Sequence, residues 1–200
     1  MKRITIMLLG VSALLMCLNA SAQKIKVVDG DLASLSGVTK MNVTFDYSDM
    51  RVGKFKTEKE YVDKKVTDYN KKEAGKGDSW HESWVADRAN RFEPDFIKLF
   101  NDNCPASIGH FPEEKYTLIF KTTFTEPGYN IHISKKNASI NGEVWIVETA
   151  NQENVVAKVE IKNCPGRSFG GYDYDTGERI SESYAKAGKS LGKYLKKTLK

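Results

Sequence analysis

The sequence predicts an α+β fold: a single domain in which a mainly antiparallel, mixed sheet packs against helices and the chain ends in a long amphipathic helix. Three observations carry this. Period-two alternation of apolar and polar residues marks 41–47, 116–125, 143–149 and 155–161. Helical periodicity fills 57–71 and 79–103, between the first strand and the second. The last stretch, after a Gly-rich loop from Gly166 to Gly177, is again helical, with its apolar stripe starting at Ile180. Strand, helices, several strands, helix is the order of a layered α+β domain rather than of a regular βαβ repeat.

Residues 1–22 read as a secretory signal peptide. Lys2 and Arg3 precede an uncharged apolar run from Ile4 to Leu18, and Ala20 and Ala22 offer a small-residue cleavage site. The run is short for a membrane span, which needs about 20 apolar residues. An uncleaved anchor is the alternative. Lipidation at Cys17 is the other, and the bulky Met16 before it disfavours that route. Removing residues 1–22 takes away two cations and no acid, so the formal charge falls from +5 to +3. A charge this mild, without a concentrated basic stripe, excludes nucleic acid as the expected partner. The chain is thus expected to work in the periplasm, or as a secreted or outer-membrane-associated protein.

Residues 23–40, punctuated by Gly30 and Gly37, are expected to form an extended or loosely attached lead-in, with the domain proper at 41–200. In 41–47, Met41, Val43, Phe45 and Tyr47 share the buried face. Thr57 with Glu60 forms a capping box, and a helix runs to about Lys71. A polar link at 73–77 leads to a second capping box, Ser79 with Glu82. Trp80, Trp84, Phe92, Phe96 and Phe100 follow at helical spacing, with a kink or restart expected at Pro94. Tyr129, Ile131 and Ile133 alternate, Asn141-Gly142 reads as a hairpin turn, and residues 151–154 join the next two strands. In the last helix Ile180, Tyr184, Ala187, Gly188, Leu191, Leu195 and Leu199 form the apolar stripe, with lysines largely off it.

Cys104 and Cys164 remain after signal removal, each preceded by Asn and followed by Pro. An even count in an oxidising compartment predicts a disulfide worth about 4 kcal/mol. Two free, half-buried thiols are the alternative.

No catalytic set emerges. Ala187-Gly188-Lys189-Ser190 resembles the end of a phosphate-binding loop, but Ser183 stands where the motif needs an earlier Gly, and the segment lies inside a helix. His81, His110 and His132 show no metal-ligand spacing. Asp173 and Asp175 suggest a calcium loop that lacks its closing Glu, so a turn and an Asp helix cap is the better reading. No motif asks for a cofactor or a metal.

The segment 164–177 is the candidate site. Arg167, Ser168, Phe169, Tyr172 and Tyr174 combine one cation, a hydroxyl and three aromatics in a Gly-rich loop that opens on a helix N-terminus. Trp80 and Trp84, one helical turn apart, are expected in the core.

VGKFKTEKEY at 52–61, DYDTG at 173–177 and SYAKAGK at 183–189 resemble uncharacterised secreted proteins of Gram-negative envelopes. The order of elements is also distantly similar to the periplasmic accessory domain of curli-secretion lipoproteins, penicillin-binding-protein activators and the amino-terminal domain of the Tol translocation protein. The resemblance implies a non-catalytic adaptor role and carries over no functional residue. The leading expectation is therefore an exported interaction or adaptor module of the envelope. A binder of a glycan or anionic envelope ligand through 164–177 is the alternative, and a hydrolase with a scattered site stands last.

Overall fold

The computed structural model describes residues 23–131, 134–166 and 175–199. Their centre is a seven-stranded mixed sheet. It contains β1 (Lys24–Gly30), β2 (Lys40–Asp46), β3 (Arg51–Val52), β4 (Ser107–Gly109), β5 (Tyr116–Glu126), β8 (Ser139–Glu148) and β9 (Asn151–Pro165). The order across it is β1-β9-β8-β5-β2-β4, with β3 also pairing β5. A small separate hairpin joins β6 (Tyr129–Ile131) to β7 (Ser134–Lys136). The contacts among β5, β8, β9 and β1 are antiparallel; β2 runs parallel to both β5 and β4, and β3 parallel to β5.

Parallel neighbours need a long crossover. Here it is α1 (Glu58–Asn70), α2 (Lys76–Asp87), a π-helical turn (Arg88–Phe92) and α3 (Glu93–Asn101), all lying between β2 and β5. The last helix, α4 (Thr176–Leu195), packs on α3 and on the inner face of β8 and β9. The expected α+β layering is what the chain adopts.

The inner sheet face explains the strand patterns. Leu118 and Phe120 of β5, Val144 and Ile146 of β8, and Ala157, Val159 and Ile161 of β9 are wholly buried. They meet Phe96 and Phe100 of α3 and Ile180, Tyr184, Ala187, Leu191 and Leu195 of α4. Burying each large side chain contributes about 1.5–3 kcal/mol. The other face carries Thr44, Lys121, Glu143, Trp145 and Lys158, exposed or half-buried, and among the described residues no helix covers it.

Helix ends follow local chemistry. Thr57 accepts the amide of Glu60, as its capping box predicts. Asp175 accepts the amide of Glu178 and caps α4. Pro94 sits in the first turn of α3, where a missing amide costs nothing, and the helical run continues into it through the π-helical turn. Gly188 is a packing residue: a Cβ there would stand 2.1 Å from the carbonyl oxygen of Phe96, so α3 and α4 touch backbone to backbone.

Four expectations are corrected. Residues 24–30 are extended, as one of the two alternatives has it, but they belong to the domain instead of leading into it: they form the edge strand β1, antiparallel to β9, and Leu32 and Leu35 follow in a short 3-10 turn plugged into the core. The second long helix starts at Lys76, ahead of the Ser79 box, because Asn70 Oδ1 accepts the Gly77 amide at 2.7 Å and tightens the turn before it. Asn141-Gly142 lies within β8 at a register fault and turns no hairpin.

Finally, Cys104 and Cys164 are both free thiols. Cys164 is buried and donates to the carbonyl of Ser183 at 3.1 Å. Asn103, beside Cys104, instead packs against Gly192. Ser183 and Gly192 lie nine residues apart on α4, about 13 Å of helical rise, beyond the ~7 Å that a disulfide spans between Cα atoms. The two Asn-Cys-Pro segments end elements at different points along the same helix.

Candidate functional site

The helices α1 and α2 pack through an aromatic cluster. Trp80 and Trp84 stack with ring centroids 5.6 Å apart and planes 28° from parallel. Tyr61 packs on Trp84 at 5.2 Å and on Trp80 at 5.8 Å, and Tyr69 meets Trp80 at 5.8 Å with the ring planes 74° apart. The two tryptophans have different roles. Trp84 is 5% exposed and its Nε1 donates to Glu58 Oε1 at 2.5 Å. Arg88 grips both oxygens of Glu58 at 2.5 and 2.6 Å and lies over the Tyr47 ring at 4.4 Å. Trp84 is therefore held from behind. Trp80 is only half-buried, and among the described residues its indole N–H meets no acceptor.

Trp80 forms one wall of a groove of about 420 Å³. Tyr69, Ser83 and Trp84 continue that wall. Asp87 and Arg91, farther along the same helical run, and the start of α4, at Asp175, Thr176 and Gly177, complete the lining. Arg91 bridges the two carboxylates: Nε stands 3.1 Å from Asp87 Oδ1 as an ion pair, and Nη1 donates to Asp175 Oδ2 at 2.6 Å. Asp87 presses on the first turn of α4, where a Cβ on Gly177 would collide with its Oδ2.

The two carboxylates are tuned apart. Burial pushes Asp87 above the ordinary carboxylate range; nearby Asp175 adds to this and Arg91 works against it. Burial also acts on Asp175, but the bonds from Arg91 and from the Glu178 amide outweigh it and hold that group below its ordinary value. Both acids pair with the same guanidinium, Asp87 by charge alone and Asp175 through a hydrogen bond, and Asp175 is committed as a helix cap. The free amides of α4 thus already face carboxylates of the chain itself, so the groove offers acceptors and an aromatic platform more than it offers an anion hole.

Residues Arg167, Ser168, Phe169, Tyr172 and Tyr174 of the sequence-predicted site lie outside the described residues. The ends of their segment are placed. Gly166 donates its amide to Ala138, and Asp175 stands on the groove rim. Trp80 and Trp84, expected as core, split into a groove wall and a core member. Asp87, Arg91 and Tyr69 were not singled out by sequence. The usable signal was the i,i+4 spacing of Asp87 and Arg91 at the end of an aromatic helix. His81 lines a separate cleft with Glu58, Val62, Val85 and Arg88; His110 is exposed; His132 lies outside the described residues. Among the described residues no three His, Cys, Asp or Glu side chains converge as a metal site would require, and no helix is long and apolar enough to cross a membrane.

No family model matches the chain, and no curated protein matches it. Among solved structures it is similar to the PelC dodecamer from Paraburkholderia phytofirmans, at 13% sequence identity and a TM-score of 0.41, over 85% of this chain and 97% of that one. A second crystal form, of a single-residue variant of that PelC dodecamer, gives 12% identity and a TM-score of 0.39 over 82% and 97%.

Proposed function

We propose that this chain is an exported, non-catalytic binding module of the cell envelope, and that it holds a neutral glycan segment in the groove between α2 and the start of α4. The observation that supports this best is Trp80. Its indole is braced by Tyr69 and Trp84, its N–H lacks a partner among the described residues, and it borders a groove that a carboxylate–guanidinium–carboxylate bridge also lines. A pyranose ring lays its C–H face on an aromatic ring. Its hydroxyls donate to Asp87 and Asp175 and accept from Arg91 and the indole N–H. A cavity of this size sits within the usual range for ligand pockets. The two acids around one cation make the site net negative, which favours a neutral polyol over an anion. Export and the envelope setting rest on the signal-like residues 1–22 and on the resemblance to periplasmic accessory domains.

The test is intrinsic tryptophan fluorescence during titration with a series of neutral oligosaccharides of increasing length. A saturable change is expected, lost in Trp80→Ala and weakened in Asp87→Asn, with the thermal midpoint of Asp87→Asn close to that of the parent. A flat response to the whole series, or an unchanged response in Trp80→Ala, sinks the assignment.

A further inference from the structure

A second cavity, of about 440 Å³, lies on the helix-free side of the sheet. Its lining is Asp49, Arg51, Thr123, Phe124 and Asn141, so it shares no residue with the Trp80 groove. We propose that it is a binding site for a sugar acid, a monosaccharide unit carrying a carboxylate beside its hydroxyls, as a uronate does. The assignment does not depend on the groove.

The backbone is specialised here. β5 breaks register between Thr122 and Phe124, and β8 breaks register against β9 between Ile140 and Gly142. Asn163 of β9, facing the same fault, adopts a φ of +54°, which among non-glycine residues Asn tolerates best. Gly142 lets β8 close on β5 at this level: a Cβ there would stand 2.9 Å from both the Lys121 carbonyl oxygen and the Phe120 ring. Faults at one level in adjacent strands re-aim side chains, which is what bulges near binding sites do. The faults bring Thr123 and Phe124, consecutive in β5, to one cavity wall with Asn141.

The side chains present matching chemistry. Arg51 is exposed, lies over the Phe124 ring at 5.9 Å, and forms no ion pair among the described residues. That distance is at the outer limit of a cation–π contact, and the guanidinium fork matches the two oxygens of a carboxylate. Asn141 Oδ1 is fixed by the Asn163 amide at 2.8 Å, which leaves its NH₂ as a donor. Thr123 adds a hydroxyl. Asp49, exposed and also without an ion pair among the described residues, is an acceptor for ligand hydroxyls. One cation beside one acid suits a monoanion with neighbouring hydroxyls. A phosphate dianion needs more positive charge and no carboxylate at the rim.

The test follows backbone amide chemical shifts while the protein is titrated with glucuronate, with glucose and inorganic phosphate in parallel. Glucuronate is expected to shift the amides of Arg51, Thr123, Phe124 and Asn141 saturably, with a Kd on the order of 1 mM. Glucose, without the carboxylate, is expected to bind at least about tenfold more weakly, since the charge-assisted bidentate contact is the strong one. Arg51→Gln should remove the response without moving the thermal midpoint, Arg51→Lys should weaken it because the fork is lost, and Trp80→Ala should leave it intact. Tighter binding of phosphate than glucuronate at these amides, an equal response to glucose, no shift with glucuronate, or unchanged binding in Arg51→Gln overturns the proposal.

Discussion

Phe92 and Tyr184 stack face to face, with ring centroids 5.0 Å apart and planes 2° from parallel. Phe92 ends the π-helical turn and Tyr184 lies midway along α4, so this pair ties the crossover helices to the last one. The wider π turn shifts the facing of α3 relative to α2 without breaking the helical run, which lets Trp84 face α1 while Phe92 and Phe96 face α4 and the sheet. Tyr184 also reaches the sheet: its hydroxyl and that of Thr122 are 2.7 Å apart, both buried.

Removing one side of the stack should therefore cost more than removing the hydroxyl. Phe92→Ala is expected to destabilise by about 3–5 kcal/mol, as large core truncations do. Tyr184→Phe keeps the stack but strands Thr122, for a loss of about 1–3 kcal/mol. Urea unfolding measures both. Equal losses would show that the hydroxyl pair holds this junction as strongly as the stack, against the expectation.

Gly188→Ala tests the contact of α3 with α4. In an exposed helix the change gains about 1 kcal/mol from propensity. Here the new Cβ would lie 2.1 Å from the Phe96 carbonyl oxygen, a backbone atom that moves only if the whole helix moves. The expected outcome is a reversed sign, a loss of about 1–3 kcal/mol or more, as overpacking gives. A stabilised Gly188→Ala protein would show that the two helices separate easily.

Much of this was legible from residue order, and what was not has identifiable causes. The α4 stripe, the Thr57 cap and the Asp175 cap are local, and they stand where spacing puts them. Residues 24–30 left their place in the sheet open because none of them is buried: β1 is an edge strand held by its pairing with a β9 segment about 130 residues away. Asn141-Gly142 has the composition of a turn, but its glycine is required by the Phe120 ring across the sheet. For the groove, the Trp80 and Trp84 spacing gave the shared helix face. Only the tertiary partner of each ring decides which one is locked, since Glu58 lies on another helix. The cysteines misled for the same reason: their identical local contexts end elements that are distant in space.

Those thiols give a chemical test. Burial pushes Cys164 up to about 12, and Cys104, half-buried, is raised as well. Alkylation by iodoacetamide needs the thiolate. Native protein at mildly alkaline pH should leave Cys164 unmodified, with Cys104 reacting slowly. Unfolding without any reductant should then expose both to rapid labelling, read by mass after digestion. A Cys104–Cys164 peptide pair that labels only after reduction would contradict the free thiols.

The last prediction concerns Asp87 and Asp175, whose pH responses have opposite signs. In the unfolded chain both carboxyls ionise near their ordinary value, about 4. Folded Asp87 lies above that, through burial and then nearby Asp175. Between the two values the folded state binds the proton and the unfolded state does not, so ionised Asp87 costs stability at all higher pH and acidification through its folded value recovers it. Folded Asp175 lies below its ordinary value, because the bonds from Arg91 and the α4 amide outweigh burial. Its contribution is present above about pH 4 and is lost as pH falls through its folded value. Asp87→Asn keeps the shape against Gly177 and removes the charge. It should be no less stable than the parent at neutral pH, and it should lose the gain on mild acidification. Asp175→Asn still caps α4 but weakens the Arg91 bridge, so it should be less stable at neutral pH and converge with the parent in stronger acid. Urea unfolding across this pH range separates the cases. A lower midpoint for Asp87→Asn at neutral pH would show that its pairing with Arg91 outweighs the burial cost.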